Sequence, residues 1–296
     1  MPECKVAVLG ASSLVGECLL SLLTQANWHV NAYSRQVVRQ SNDRVAWRCL
    51  PLSNSPSFRP PLPQGETNIP LWISVAPIWV LPSYFAFLEA HGVKRIVVLS
   101  STSRFTKDNS SDLQEQIVAR RLAEAEASVQ AWAEDRGVEW VILRPTLIYG
   151  MGRDKNITEI VRFVRRFGFF PLFGQARGLR QPIHAQDVAT ACIAALEMPG
   201  AVNRAYNISG SEAISYREMI TRVFAALGRP LRLLPVPLSA FRVAVAVLNY
   251  WPHSRGWSVA MAERMNTDMV FDHSEAACDF GFEPRMFVLS SQDIAM

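Results

Sequence analysis

A glycine-rich turn near the start of the chain has the residue types of a phosphate-binding site. The segment Gly10-Ala-Ser-Ser13-Leu-Val-Gly16 follows a short apolar run, residues 6–9, and precedes an apolar pattern with helical spacing. Free N–H groups and the dipole at the start of a helix attract a pyrophosphate. Gly10 permits a sharp turn, and Gly16 permits close packing of the helix on the strand. The turn therefore predicts a dinucleotide site, and the alternative is a turn with a purely structural role.

The middle position of this turn departs from the usual dinucleotide-binding fingerprint. Ser13 stands where a third glycine is usual, so a ligand has less room to approach the backbone, although the hydroxyl can donate to a phosphate. We expect the turn to bind the ligand together with Ala76, which ends a later apolar run. The predicted cofactor-binding residues of the turn are Gly10, Ser12, Ser13, Leu14, Val15 and Gly16.

The end of the second apolar run carries a serine and an arginine, Ser34 and Arg35, about twenty residues after the turn. An NAD site commonly has a carboxylate at this point, which accepts hydrogen bonds from the ribose hydroxyls. A guanidinium matches the geometry of a phosphate, and no carboxylate is present to repel one. The pair therefore favours NADP over NAD, and the alternative is that Arg35 is a solvated surface residue.

Apolar runs alternate with helical patterns along the chain, which predicts a parallel sheet with helices on both faces. The cluster Asn109, Ser110 and Ser111 is expected to cap the longest helix, which Gly137 ends. Five prolines within residues 54–70 predict an extended or loop-like crossover there instead of a helix. The predicted strands are residues 6–9, 29–33, 44–50, 71–76, 95–101, 140–143 and 205–208, and the predicted helices are residues 14–23, 84–91, 112–134, 158–166, 187–197 and 216–227.

These elements predict an α/β fold with a doubly wound parallel (Rossmann) sheet and a smaller C-terminal domain on the substrate side. We assign residues 1–150 and 183–209 to the dinucleotide-binding domain and residues 151–182 and 210–296 to the smaller domain. Residues 168–181 are expected to form a loop rich in glycine and phenylalanine. Ligands of open α/β sheets bind at the carboxyl edge of the strands, where this second domain begins.

Composition excludes several classes of protein. The chain has 296 residues, of which 49% are hydrophobic and 19% charged, so it is not intrinsically disordered. A net charge of +4 is too small to support binding to nucleic acid. Five cysteines without a Cys-x-x-Cys pair predict neither a disulfide framework nor a metal site, and buried reduced thiols in a cytoplasmic protein are expected. No transmembrane segment is expected, although the apolar patch at residues 233–251 could form a surface for a protein partner or a membrane.

Six segments in order along the chain resemble landmarks of the extended or atypical short-chain dehydrogenase/reductase superfamily, in its NAD-dependent epimerase/dehydratase branch. The resemblance covers nearly the whole chain and implies the split arrangement of domains given above. The segments are Gly10-x-x-Ser13-x-x-Gly16, Val98-Leu-Ser-Ser-Thr102, Leu143-Arg-Pro-Thr-Leu-Ile-Tyr-Gly150, Arg180-Gln-Pro-Ile-His-Ala-Gln-Asp-Val-Ala189, Ala205-Tyr-Asn-Ile-Ser-Gly210 and Asp279-Phe-Gly-Phe-Glu-Pro284.

The resemblance implies a catalytic tyrosine and a lysine four residues later on the long helix, with a serine or threonine at the end of the preceding strand. Positions four apart share a helix face, so the lysine cation lowers the pKa of the phenol, which can then take a proton from a substrate hydroxyl. The chain has no Tyr-x-x-x-Lys anywhere. Aligned on residues 122–126, Ile117 takes the place of the tyrosine and Arg121 that of the lysine, while Thr102 matches. Arg121 can still bind ribose hydroxyls, but isoleucine cannot transfer a proton.

Other groups near these landmarks offer partial substitutes. The resemblance implies that Arg180 binds the diphosphate of a nucleotide-sugar substrate, and the alternative is a solvated loop arginine. Asp187 is expected to cap the helix that follows it. Packing is the expected role of Tyr149, and His184 is expected to be a hinge residue bonded to the backbone. Three carboxylates are expected on a solvated helix face, namely Glu115, Glu124 and Glu126. The family's adenine-binding aspartate has no counterpart in residues 47–51.

Three functions remain open. The first is an NADP(H)- or NAD(H)-binding protein with a degenerate active site, acting as a cofactor-dependent binding or regulatory protein. The second is an active NAD(P)-dependent reductase, epimerase or dehydratase on a nucleotide-sugar or other anionic substrate, which would use Thr102, Arg121 and a non-standard proton donor. The third is a structural descendant that binds no dinucleotide, suggested by Ser13 and the missing adenine carboxylate. The sequence identifies neither the substrate nor the oligomeric state.

Overall fold

The central element of the molecule is a parallel sheet, in a computed structural model that describes residues 4–35, 41–50, 68–108, 110–239 and 259–295. In these ranges its seven strands are β1 (Lys5–Leu9), β2 (His29–Ser34), β3 (Val45–Cys49), β4 (Leu71–Ser74), β5 (Arg95–Leu99), β6 (Glu139–Pro145) and β11 (Arg204–Ile208). They pair in the order β11-β6-β5-β4-β1-β2-β3, and every pair is parallel. The strand order reverses between β1 and β4, and the ligand crevice is expected at the carboxyl ends of these two strands.

Helices cover both faces of the sheet because the inner strands bury side chains on each side. In β1, Val6 and Val8 enter one core while Ala7 and Leu9 enter the other. The first core packs under α1 (Leu14–Gln25) and α6 (Ala185–Glu197), and the second packs under a 3-10 helix (Ile78–Tyr84), α2 (Phe85–Ala90) and α4 (Leu113–Arg136). The prediction of a doubly wound α/β fold is confirmed.

A separate hydrophobic cluster lies beyond the carboxyl edge of the sheet. It is built mainly from α5 (Ile157–Phe167), β8 (Phe170–Phe173) and α7 (Tyr216–Ala226), with α8 (Val259–Arg264) beside them. The remaining elements of the described ranges are α3 (Ser103–Thr106), β7 (Ile148–Tyr149), β9 (Leu179–Arg180), β10 (Ile183–His184), a 3-10 helix (Pro199–Ala201), β12 (Ile214–Ser215), β13 (Leu233–Val236) and α9 (Ser274–Phe280). The domain boundaries at residues 150, 183 and 209 stay a prediction.

Residues 168–181 contain strands where the sequence predicted a loop. β8 pairs in parallel with β13, so that Phe170 lies opposite Leu233. β9 pairs antiparallel with β12. Runs of two to four residues carry too little periodicity to be recognised as strands, and their partners lie far away in sequence. The prediction of a loop was therefore wrong for these residues.

Two predicted helix caps were wrong by a few residues. Asp112, and not the preceding serines, caps α4 by accepting a hydrogen bond from the Gln114 amide at 2.9 Å. His184 caps α6 through Nδ1, which accepts from the Gln186 amide at 3.1 Å. Asp187 lies in the first turn of α6, where its carboxylate accepts from Arg285. Helix α4 thus begins one residue later than predicted, and α6 begins two residues earlier.

Three further expectations concern exposure and membranes. Two cysteines, Cys18 and Cys192, are buried, but Cys4, Cys49 and Cys278 are exposed, so the prediction of buried thiols was wrong for these three. No helix within the described ranges is long and apolar enough to cross a membrane, and the cytoplasmic location stays a prediction. The proline-rich segment at residues 54–67 and the apolar residues 240–251 lie outside the described residues.

Candidate functional site

The turn between β1 and α1 has a backbone that only glycine fits at two positions. Gly10 has φ +80°, and a Cβ atom there would lie 2.7 Å from the amide nitrogen of Ala76. A Cβ atom on Gly16 would lie 2.5 Å from the carbonyl oxygen of Gly10. The amides of Gly10 and Ala11 both donate to the Tyr33 carbonyl at 3.1 Å. The turn is therefore pressed against the ends of β2 and β4, which leaves its outer side for a ligand.

Ser13 is the N-cap of α1, which determines what this helix end can offer to an anion. Its hydroxyl oxygen accepts a hydrogen bond from the Gly16 amide at 3.1 Å, so its own proton stays available for donation. The amides of Leu14 and Val15 in the first turn have no acceptor inside the helix. Such amides and the helix dipole together favour a negatively charged group.

A cavity of about 320 Å³ opens beside this turn at the carboxyl ends of β1, β2 and β4. Ser34 and Arg35 at the end of β2 line one side, and the Ser34 hydroxyl lies 2.8 Å from that of Ser12. Leu50, which follows β3, lines it as well. The other cavity-lining residues are Leu9, Gly10, Ser13, Tyr33, Ser74, Val75, Ala76, Pro77, Val80, Leu81, Tyr84 and Arg153. The cavity thus joins polar groups beside the turn to an apolar slot between β3 and the 3-10 helix.

Ser74 gives this cavity an unsatisfied polar group. The residue ends β4 and is fully buried, and its hydroxyl has no hydrogen-bond partner among the described residues. An unpaired buried hydroxyl is costly, so it calls for an explanation, and a ligand that completes the pairing is one. Together with the cradle at Gly10, this hydroxyl indicates that the residues present fit the adenosine and diphosphate half of a dinucleotide.

The predicted cofactor residues therefore separate into three groups. Six of them line the cavity: Gly10, Ser12, Ser13, Ser34, Arg35 and Ala76. Leu14, Val15 and Gly16 form the adjoining first turn of α1. Arg121 lies apart from them on α4, where its guanidinium carbon lies 4.7 Å from the ring centroid of Trp79. Trp79 belongs to the 3-10 helix that carries Val80 and Leu81.

The positions predicted for catalysis carry no group placed to transfer a proton. Thr102 is buried, and its hydroxyl donates to the Pro145 carbonyl at 3.1 Å. Ile117 is 40% exposed on α4. Helix α4 contains neither tyrosine nor lysine along its 24 residues. Tyr149 is buried against His184, and burial, followed by the charges of Asp293 and Asp187, raises the pKa of its hydroxyl above the usual range.

One carboxylate that the sequence placed on a solvated helix face is instead buried at the ends of β5 and β6. Glu126 is only 2% exposed, so its predicted place on a solvated face was wrong. It accepts from Ser100 at 2.5 Å and from Arg144 Nη2 at 2.7 Å, and it pairs with Arg104. Glu115 is also paired, with Arg264 and Lys107, whereas Glu124 is exposed. Glu126 shares a helix face with buried Leu122, Val129 and Ala133, a spacing that could have identified it.

Arg180 is buried among backbone carbonyls and does not line the cavity. Its Nη1 donates to Leu179 at 2.7 Å and to Thr267 at 2.8 Å, and its Nη2 donates to Arg264. Its guanidinium also lies 5.7 Å from the ring centroid of Tyr216. Arg180 is therefore not the solvated loop arginine that was the alternative expectation. To bind a substrate diphosphate, its guanidinium would have to give up these hydrogen bonds to the backbone. The predicted role of Arg180 stays a prediction.

Arg153 is a second residue that the sequence analysis missed. It lines the cavity from the loop after β7, and it is paired with Glu17 in the first turn of α1. Its Nη2 lies 3.4 Å from the Ser12 carbonyl oxygen. Because 141 residues separate these two positions, no local pattern could have indicated the contact.

Comparisons with known proteins agree with this geometry. Residues 84–209 match the NAD dependent epimerase/dehydratase family. The chain is 26% identical over 163 residues to UDP-glucose 4-epimerase of Vibrio cholerae, covering 51% of this chain and 49% of that protein. It is 32% identical over 183 residues to (4-alkanoyl-5-oxo-2,5-dihydrofuran-3-yl)methyl phosphate reductase of Streptomyces griseus, covering 62% of this chain and 59% of that protein. The matches thus span about half to three-fifths of these relatives.

Solved structures share the fold over almost the whole chain. UDP-glucuronic acid 4-epimerase from Bacillus cereus, in complex with NAD, superposes with a TM-score of 0.68 at 16% identity. The superposition covers 98% of this chain and 93% of that one. The resemblance predicted from the six sequence segments is therefore confirmed: residues 84–209 match the NAD-dependent epimerase/dehydratase family, and the solved structure shows that the fold is shared.

Proposed function

We propose that this protein binds NADP(H), and NAD(H) more weakly, as a cofactor-dependent binding or regulatory protein that lacks the family's tyrosine-dependent chemistry. The observation that carries the proposal is the cavity at the reversal of strand order, where Ser34, Arg35 and the unpaired Ser74 hydroxyl meet the phosphate turn. The NAD-bound epimerase of the same fold supports a dinucleotide at such a turn.

Each part of the cofactor has candidate partners in the cavity. The amides of Leu14 and Val15 and the Ser13 hydroxyl would bind the diphosphate. Arg35 would bind the ribose 2′-phosphate through a charge-assisted hydrogen bond. The apolar slot would hold the adenine ring by contact and not by a carboxylate. When bound, NADP(H) supplies hydride exchange at its nicotinamide ring.

Loss of proton transfer is the second half of the proposal. An isoleucine at position 117 has no ionisable group, and a guanidinium at position 121 donates hydrogen bonds but accepts none. Arg121 can contribute positive charge and hydrogen bonds to ribose hydroxyls beside Trp79. The Thr102 hydroxyl is engaged by Pro145, so it donates to the backbone and not to a substrate. These residues would therefore bind and orient without exchanging protons.

A second candidate function is an NAD(P)-dependent reductase, epimerase or dehydratase on a nucleotide-linked or other anionic substrate. It is favoured by the relatives, since one acts as a 4-epimerase and another as a phosphate-ester reductase by their names. The arginine-rich cluster around Glu126, with Arg104 and Arg144, offers positive charge for such a substrate beyond β5 and β6. This candidate requires a proton donor outside the family's pair.

Titration of the purified protein tests the binding proposal directly. Fluorescence of the reduced nicotinamide should change saturably with NADPH and NADH, with tighter binding of NADPH. If neither nucleotide gives a saturable change, the proposal is wrong. Incubation with either cofactor and a panel of carbonyl compounds and nucleotide sugars, followed by absorbance and product analysis, tests the second candidate, and steady turnover would establish it in place of the first.

A further inference from the structure

The loop that follows β7 has a conformation fixed by the C-terminal segment. Three successive residues, Gly150, Met151 and Gly152, have φ values of +131°, +54° and +60°. The Met151 amide donates to Asp293 Oδ1 at 3.0 Å. A Cβ atom on Gly152 would lie 1.7 Å from the carbonyl oxygen of Ala295. A left-handed backbone at a non-glycine residue persists only where surrounding contacts hold it. The contacts with Asp293 and Ala295 therefore fix the conformation of this loop.

The fixed loop directs Arg153 across the mouth of the cavity. Met151 anchors the crossing, since its sulfur lies 3.5 Å from the Cys18 sulfur on α1. The next loop residues bring the Arg153 guanidinium to the Ser12 carbonyl and the Glu17 carboxylate. The Arg153 side chain remains 44% exposed, so part of its donor set faces solvent beside the phosphate turn.

Glu17 explains why a cation is needed at this place. Its carboxylate stands in the first turn of α1, the same helix end that would attract a diphosphate. A carboxylate there repels a diphosphate, which carries two negative charges near neutral pH. Arg153 neutralises Glu17 in the structure, and a guanidinium has five N–H donors, more than one carboxylate can occupy.

We propose that Arg153 binds the diphosphate of the dinucleotide, sharing its guanidinium between this group and Glu17. The inference rests on the proposed binding of NADP(H). The loop at residues 150–153, held by the C-terminal segment, thereby contributes a binding residue to a site otherwise built at the edge of the sheet. Arg153 is a binding residue and takes no part in proton transfer.

The test compares ligands that have and lack the diphosphate. We would measure the dissociation constants of NADP⁺ and of adenosine 2′-monophosphate by calorimetry for wild type, Arg153→Gln, Arg153→Lys and Arg217→Gln. Arg217 is exposed on α7 and does not line the cavity, so it is the matched control. Thermal unfolding of each variant shows whether the fold is intact.

Arg153→Gln should weaken NADP⁺ binding by about 10- to 100-fold, since a hydrogen bond to a charged group is worth about 1.5–3 kcal/mol. Arg153→Lys should recover part of the loss, and adenosine 2′-monophosphate should bind all variants within about twofold of wild type. Unchanged NADP⁺ affinity in Arg153→Gln, or an equal loss for both ligands in a folded variant, would overturn the inference while leaving the proposed function in place. Failure of wild type to bind NADP⁺ would overturn both.

Discussion

Ser74 offers a prediction in which stability and binding change in opposite directions. Its buried hydroxyl has no partner among the described residues, and leaving such a group unpaired costs about 1–3 kcal/mol. Ser74→Ala removes the unpaired group and keeps the methylene packing, so the free protein should be stabilised by about 1 kcal/mol. For a domain of about 150–250 residues, this corresponds to a rise in Tm of about 2–4 °C.

Binding of NADP⁺ should respond to Ser74→Ala with the opposite sign. If the ligand supplies the missing partner, the substitution removes about 1.5 kcal/mol of binding free energy, which is roughly tenfold in Kd. Differential scanning fluorimetry and calorimetric titration measure the two effects on one preparation. Ser128→Ala is the control, because Ser128 lies exposed on α4. A lower Tm combined with an unchanged Kd for NADP⁺ would refute the reasoning.

Three further substitutions test separate parts of the structure. Arg35→Ala should weaken NADPH binding about tenfold and NADH binding less than about threefold, as seen by fluorescence titration, and an equal loss would contradict the 2′-phosphate assignment. Glu126→Gln leaves Arg104 and Arg144 without their carboxylate, which should destabilise by about 3 kcal/mol and lower Tm by at least about 6 °C, whereas exposed Glu124→Gln should leave Tm unchanged. Burial alone would raise the pKa of Asp293, but hydrogen bonds from His184, Ser290 and the Met151 amide hold it well below its usual range. Because the pKa of Asp293 is lower in the folded than in the unfolded state, its ionised carboxylate stabilises the fold above pH ~4 and does so less as the pH falls. The Tm difference between wild type and Asp293→Asn should therefore narrow in acid. A Tm difference that stays constant from neutral pH to pH ~3 would contradict this prediction.

The parts of the site that sequence predicts are those that local rules determine. Gly10 and Gly16 are required by the backbone of one turn, and Ser34 ends the next strand. The positions of all three residues therefore follow from the residues next to them in sequence. The central strands follow from short continuous apolar runs and the long helices from a periodicity of 3.6 residues, for the same reason. Residue types at fixed distances along the chain therefore predict several of the residues that line the cavity beside the turn.

Contacts between distant segments are what the sequence does not reveal. Glu126 pairs with Arg144, which lies 18 residues later near the end of β6. Charged residues on helices are more often solvated, so the sequence alone favoured an exposed Glu126. Arg153 reaches α1 only because the C-terminal segment positions its loop. β8 and β13 each have four residues and find each other across 63 positions. In each case tertiary packing decides the partner, and the only local signal is the spacing of Glu126 with buried residues of α4, which indicates its burial.

The proposed cofactor site and the absence of a Tyr-x-x-x-Lys pair are compatible because binding and proton transfer make separate physical demands. Affinity for a dinucleotide comes mainly from its adenosine and diphosphate parts, which are remote from the reacting carbon. In the proposed complex those parts would meet Arg35, Ser74, the turn between β1 and α1 and, as we infer, Arg153, all of which line the cavity. An isoleucine in place of the tyrosine removes an interaction that stabilises the transition state. It removes little binding free energy from the ground-state complex with the cofactor. A Tyr–Lys pair restored by Ile117→Tyr and Arg121→Lys should therefore leave the Kd of NADP⁺ nearly unchanged, and a large change would show that α4 contributes to cofactor affinity.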